Sequence, residues 1–321
     1  MRWAVAAVVG ALLLQAPVER RIPKPQAPEA PEALGDEQVP VIRVQSRLVN
    51  VAVNVVDEKG VPVAGLTRDD FELVEDGKAQ KIAIFERESS TPLSIVMAID
   101  TSGTVLTSER LEKNAAKSFV RSLLRDQDEL DLMDFSDNVR EIVPFTNQKK
   151  KIETGLGELQ RGDETSLYDA IYLGSQRLGE TRNDAGRRRV MVLITDGGDS
   201  KHSSRYGQAL EQAQRAGAMI FSIIIVPIAA DAGRNTGGEH ALIQMSDDTG
   251  GKYYYVEDPR DLEPAFAHVS DDLRTQYVLG YYAPQAGRDT SFRKIVVRMK
   301  DPKLAAKYRL RYRSGYYADA R

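Results

Sequence analysis

The spacing of apolar and polar positions changes along this chain, and each change marks a different kind of element. Residues 41–90 and the stretch from 277 onward alternate with a period of two. Val49, Val51, Val53 and Val55 share one face of a strand, with Asn50, Ala52 and Asn54 on the other. Phe71-Glu72-Leu73-Val74 and Lys81-Ile82-Ala83-Ile84-Phe85 flank Glu75-Asp76-Gly77-Lys78, which predicts a hairpin. Tyr277, Leu279 and Tyr281 form a further alternating set, as do residues 292–299 and Tyr308, Leu310 and Tyr312. About four N-terminal strands are too few to bury a core by themselves. Joined to three C-terminal strands they predict one β-sandwich-like domain.

Between these flanks short apolar runs alternate with helical stripes. Residues 94–99, 129–135, 190–195, 219–226 and 253–256 read as strands, and 138–144 as an antiparallel edge neighbour. Residues 107–124, with Leu111, Ala115, Phe119 and Leu123 four apart, read as a helix. Helices are also predicted near 152–159 and over 165–178, 206–216, 239–247 and 262–273. Strands that alternate with helices predict an α/β fold with a doubly wound, mostly parallel, Rossmann-like sheet. That sheet, residues 91–276, is expected to be inserted between the β segments 41–90 and 277–321.

The first 40 residues follow neither pattern. Met1-Arg2 and the apolar run 3–14 resemble a secretory signal peptide over residues 1–16. The run is shorter than the ~20 residues that span a bilayer, so no stable membrane span is expected in the mature chain. Residues 17–40 carry Pro17, Pro23, Pro25, Pro28, Pro31 and Pro40 and read as an extended spacer; a PxxP ligand is the other reading. The expected location is outside the cytoplasm: periplasm, cell envelope or medium.

Composition narrows the chemistry. A net charge of −3 gives no reason to expect nucleic acid as a partner. With no cysteine and three histidines, thiol catalysis, thiolate metal sites and His-rich sites are excluded or disfavoured. The chain has no G-x-x-x-x-G-K-[ST] loop and no G-x-S-x-G elbow. An enzyme is therefore not expected, a Mg²⁺-dependent hydrolase being the residual alternative.

Oxygen-bearing side chains gather where the pattern places strand ends. The strand 94–99 runs into Asp100-Thr101-Ser102-Gly103-Thr104, so a carboxylate and two hydroxyls alternate along a tight loop. Thr165 precedes a helical stripe, and the strand 190–195 ends in Asp196-Gly197-Gly198-Asp199. Open α/β sheets bind ligands at the carboxyl ends of their strands, and such hard oxygen donors suit Mg²⁺, Mn²⁺ or Ca²⁺. The competing reading is that these residues cap the helices that follow.

D-x-S-x-S, then a Thr ahead of a helix, then an Asp after a buried strand resembles the metal-ion-dependent adhesion site (MIDAS) of von Willebrand factor A (VWA) domains. The match runs over roughly residues 92–276 and departs from the family at Thr104, where Ser is usual. Gly65-Leu66-Thr67-Arg68-Asp69-Asp70-Phe71 and Leu279-Gly280-Tyr281-Tyr282 are similar to phrases of bacterial secreted VWA-related proteins. The resemblance implies that Ser102, Thr104 and Thr165 offer hydroxyls to a Mg²⁺ ion (or Mn²⁺ or Ca²⁺). Asp100 and Asp196 would hold it directly or through water. It also implies a protein partner whose Asp or Glu carboxylate completes the shell, in adhesion or protein–protein binding. Asp199, His202, Asp231, Arg234, Asn235 and His240 are candidates for the rim that meets the partner, or for a solvated loop. A scaffold whose metal site is silent is the rival function.

Overall fold

The computed structural model describes residues 46–87, 91–103, 109–181, 187–201, 203–226, 235–284 and 290–318. The proposed leader and spacer, and Thr104, His202, Asp231 and Arg234, lie outside the described residues. In chain order the strands before the α/β segment are β1 (Ser46–Val56), β2 (Phe71–Glu75), β3 (Lys78–Gln80) and β4 (Ile84–Glu86). The α/β segment contains β5 (Leu93–Asp100), α1 (Glu109–Leu123), β6 (Glu129–Phe135), β7 (Val139–Thr146) and α2 (Lys149–Gly155). It continues with α3 (Leu167–Glu180), β8 (Arg188–Thr195), α4 (Tyr206–Ala216) and β9 (Ala218–Ile225). Next come α5 (Thr236–Thr249), β10 (Lys252–Val256) and α6 (Leu262–Arg274). The chain closes with β11 (Tyr277–Pro284), β12 (Phe292–Met299), α7 (Pro302–Lys307), β13 (Arg309–Arg311) and β14 (Gly315–Tyr317).

The central sheet has six strands in the order β10-β9-β8-β5-β6-β7, and only the edge pair β6–β7 is antiparallel. All eight residues of β5 are buried, as a strand covered on both faces requires. Its side chains divide by parity. Ile95 and Met97 join a cluster with Phe119 of α1 and Phe266 of α6, while Val96 and Ala98 join one with Ile171 of α3 and Leu242 of α5. The sheet is therefore wound on both sides by helices, as the alternation of short apolar runs and stripes implies.

Two antiparallel four-stranded sheets accompany it, β13-β1-β11-β4 and β14-β12-β2-β3. Each mixes strands from both ends of the chain. Val49, Val51, Val53, Tyr277, Leu279, Phe71, Leu73, Ile295 and Val297 close one apolar cluster between them. The expected hairpin is corrected in its second arm. Asp76 and Gly77 both adopt positive φ (46° and 79°), which makes a two-residue turn, so the chain resumes pairing with β2 at once, through residues 78–80. The segment assigned to the second arm instead leaves for the other sheet, where 84–86 pair with β11. The helix α7 and the strand β14 were not legible in the pattern, because each is short.

One polar group inside the α/β core is unusual. Asp131 of β6 is fully buried, at a point where the β6–β7 register shifts. Its oxygens receive no hydrogen bond from a donor among the described residues; the Glu141 carboxylate faces them, and the Arg177 guanidinium lies 4.0 Å away. Burial first, and Glu141 second, push the Asp131 carboxyl up to about 8, so it holds a proton toward Glu141. Glu141 moves the other way, its own burial being outweighed by Asp131 and Arg177.

An unfolded aspartate titrates near 4. Between there and about 8 the folded chain holds the extra Asp131 proton, so this group's contribution to stability is lost as pH rises. Urea melts at pH 5 and pH 8 are expected to show lower stability at pH 8. Asp131→Asn should flatten that slope by up to about 1.4 kcal/mol per pH unit. An unchanged slope in the Asn variant counts against a proton stored at this site.

Candidate metal centre

Three loops meet at the carboxyl edge of β5 and β8, and backbone bonds stitch them together. Thr101 N–H donates to Phe135 O (2.9 Å), and Gly162 N–H donates to Thr101 O (3.3 Å). Ser102 and Gly162 form an isolated parallel bridge, so the 100–103 loop is tied to the segment that carries Thr165. That segment is tied to the third loop. Thr165 N–H donates to Ser200 Oγ (2.9 Å), and Ser200 N–H returns a bond to Thr165 O (2.9 Å). Asp137 holds the middle loop from below, its Oδ1 accepting from Asp163 N–H (3.0 Å) and Glu164 N–H (2.7 Å). Residues from three distant parts of the sequence thus become neighbours.

Within this edge Asp100, Ser102 and Thr165 are buried and Asp196 is half-buried. Thr165 stands ahead of α3, whose first turn is reached instead by Asp199, its Oδ1 accepting from Tyr168 N–H at 3.4 Å. A β-carbon added at Gly198 would lie 3.1 Å from Asp196 Oδ1 and 3.8 Å from Thr165 Oγ1, so these two oxygens border one small space. Asp100 Oδ1 accepts from Ser102 N–H (2.9 Å), and Asp100 Oδ2 accepts from Thr195 Oγ–H (2.7 Å). Thr195 Oγ1 in turn accepts from Gly197 N–H (3.0 Å), and Asp196 Oδ1 accepts from Gly198 N–H (2.8 Å).

The electrostatics are those of an uncompensated negative site. Burial pushes the Asp100 carboxyl up to about 6 against the opposing hydrogen bonds from Thr195 and Ser102, and Asp196 adds to the rise. Among the described residues neither Asp100 nor Asp196 makes an ion pair. No group of three or more His, Asp or Glu that would hold a metal occurs among the described residues. A donor set of two carboxylates and several hydroxyls fits a hard divalent ion, the carboxylates balancing its charge and the neutral hydroxyls filling further positions of its shell.

The sequence of the von Willebrand factor type A domain family matches residues 94–268, over half of the 321-residue chain. The chain belongs to that family. VWA domains commonly mediate metal-dependent protein–protein interaction, bind a divalent ion at the MIDAS and are typically not enzymes. Human calcium-activated chloride channel regulator 4 is 25% identical over 171 residues, which span 51% of this chain but only 17% of that longer protein. Proximal thread matrix protein 1 from the mussel byssus superposes with a TM-score of 0.50 at 15% identity, covering 63% of this chain and 50% of that one. A second structure of that protein has zinc in its MIDAS motif, with a TM-score of 0.50, 14% identity and coverage of 62% and 50%. An aerotolerance-related membrane protein from Bacteroides fragilis NCTC 9343 is 18% identical over 56% of this chain and 98% of its own, with a TM-score of 0.44.

Of the rim candidates, Asn235 is exposed, and both ends of its amide bond to backbone. Its Oδ1 caps α5 by accepting from Gly238 N–H (3.0 Å), and its Nδ2 donates to Gly197 O (3.0 Å). His240 is exposed on the same helix. Thr195, Asp137 and Ser200 carry the architecture without having drawn notice in the sequence. Only Thr195 had a signal, a hydroxyl closing an otherwise apolar strand. Replacing Thr195 by Val keeps the shape but strands one oxygen of Asp100 and the N–H of Gly197. Chemical denaturation in EDTA should show a loss of about 1–3 kcal/mol, and wild-type stability in that variant would remove Thr195 from the site.

Proposed function

We propose that this chain is an exported, divalent-cation-dependent protein-binding module. In it Ser102, Thr104 and Thr165 give hydroxyl ligands, and Asp100 and Asp196 hold the ion directly or through water. The observation that supports this reading is the pair Asp100 and Asp196, brought together by three stitched loops, with no cationic side chain paired to either among the described residues. When bound, the ion supplies an open position for an outside oxygen donor. The partner chemistry that fits is an Asp or Glu carboxylate, a hard oxygen donor suited to that open position. The donors are all oxygen, which favours Mg²⁺, with Mn²⁺ or Ca²⁺ as substitutes; the zinc of the mussel protein is an occupant to include in titrations. Rim residues Asp199, His202, Asp231, Arg234 and Asn235 set which acidic partner is accepted.

The leader over residues 1–16 and the spacer over 17–40 place the module outside the cytoplasm in this reading. Among the described residues no helix is long and apolar enough to cross a membrane. The β segments 41–90 and 277–321 then form a sandwich-like domain in which the VWA domain is inserted.

Saturating Mg²⁺ is expected to raise the melting temperature of the wild-type protein by several degrees over EDTA, since a ligand at a hundred times its Kd adds about 2.7 kcal/mol. Asp100→Ala and Asp196→Ala should each abolish that shift while still melting cooperatively. A library of acidic and amidated peptides tests the partner: acidic members should be retained in Mg²⁺ and released by EDTA. A wild-type protein whose melting ignores every divalent ion would leave the silent scaffold as the function.

A further inference from the structure

The third loop of the metal centre is gripped from outside by the start of α5. Gly197 sits at φ +85°, directly after Asp196, and Gly238 of α5 lies against it. A β-carbon on Gly238 would fall 1.9 Å from Gly197 O, and one on Gly197 would fall 2.9 Å from Gly238 C. Two backbones therefore touch with no side chain between them, which only glycine at both positions allows. Across this contact Asn235 uses both ends of its amide: Oδ1 holds Gly238 N–H and Nδ2 holds Gly197 O. The N–H of the same Gly197 is held by Thr195 Oγ1, which also donates to Asp100. Gly197 is thus clamped on its carbonyl by α5 and on its amide by the strand end.

We infer that Asn235 is a positioning residue for the metal centre: through Gly197 it fixes the Asp196 carboxylate toward Thr165, with no contact to the ion. The inference rests on the proposed metal-binding reading and assigns the start of α5 a part in it. An ordinary helix cap needs only an acceptor oxygen. The amide that reaches Gly197 serves no capping purpose, and that second bond separates the two roles.

Asn235→Ser keeps a cap acceptor and removes the donor to Gly197; Asn235→Ala removes both. In EDTA the Ser variant should melt cooperatively and only a few degrees below wild type, while amide hydrogen exchange at Gly197 and Gly198 should rise roughly three- to tenfold, the worth of one hydrogen bond. Mg²⁺ titration of the same variant by calorimetry should show affinity weakened by a similar factor. Unchanged exchange at Gly197 and Gly198 overturns the clamp. Faster exchange with wild-type Mg²⁺ affinity overturns the positioning role, since the loop would then move without consequence for the ion. If the wild-type protein binds no divalent ion, the metal-binding reading fails and the positioning role fails with it. The exchange data still decide whether the clamp exists.

Discussion

A buried carboxylate, Asp100, and a half-buried one, Asp196, lie close together at the carboxyl edge of the central sheet, and much of the local hydrogen bonding serves to tolerate them. Withdrawing one carboxylate from water costs several kcal/mol, and a second of the same sign beside it adds to the cost. Asp100 shows the penalty as a carboxyl pushed up to about 6 by burial, in spite of hydrogen bonds from Thr195 and Ser102. The donors that offset this cost are short and local: the Ser102 and Gly198 amides and the Thr195 hydroxyl, itself held by the Gly197 amide. None of them carries charge. The site is left with a deficit that a divalent ion is suited to fill, and with too few carboxylates to saturate such an ion.

The opposite edge of the sheet is built differently. Arg188, the first residue of β8, donates to Gln276, the residue just before β11, and Gln276 Nε2 approaches Met219 Sδ at 3.7 Å. Arg313 Nη2 donates to Asn50 O (2.8 Å), and Ser314 donates to Asp248 O through both its amide and its hydroxyl. Ala52, on the face of β1 turned away from the antiparallel core, packs against the α/β cluster. Charged and amide groups with fixed partners hold the two antiparallel sheets against the amino ends of the parallel strands. The carboxyl edge lies at the other end of the same strands.

Between the two edges the aromatic and aliphatic layers set the spacing. Phe119 and Phe266 lie 4.7 Å apart and join α1 to α6 on one side of the sheet. On the antiparallel side Phe71, Phe85 and Tyr277 form a three-ring group with centroids 5.5–5.9 Å apart. Tyr277 also hydrogen-bonds to the 63–66 segment through its hydroxyl, so one side chain spans both the core and the loop above it.

The sequence by itself determined the classes of element and their order. Period-two valines from 49 to 55, the apolar run at 94–99 and the stripe of Leu262, Phe266, Val269 and Leu273 are direct records of burial on one face, two faces and one helix side. It also marked Asp100, Ser102 and Asp196, because polar residues at the ends of apolar runs stand out against their neighbours, and Thr165, which stands ahead of a helical stripe. Only the tertiary structure decided which loops touch. Asp137 and Ser200 are ordinary loop residues until the fold places them beside the backbone of 163–165. Asn235 is exposed, and nothing local reveals that Gly197, thirty-eight residues earlier, lies within reach of its amide. The same limit explains the hairpin: the Asp76-Gly77 turn was legible, but the departure of residues 84–86 to another sheet depends on an open edge at β11. Periodicity reports what each residue prefers to face; the partner it faces is set by long-range packing, which no local window contains.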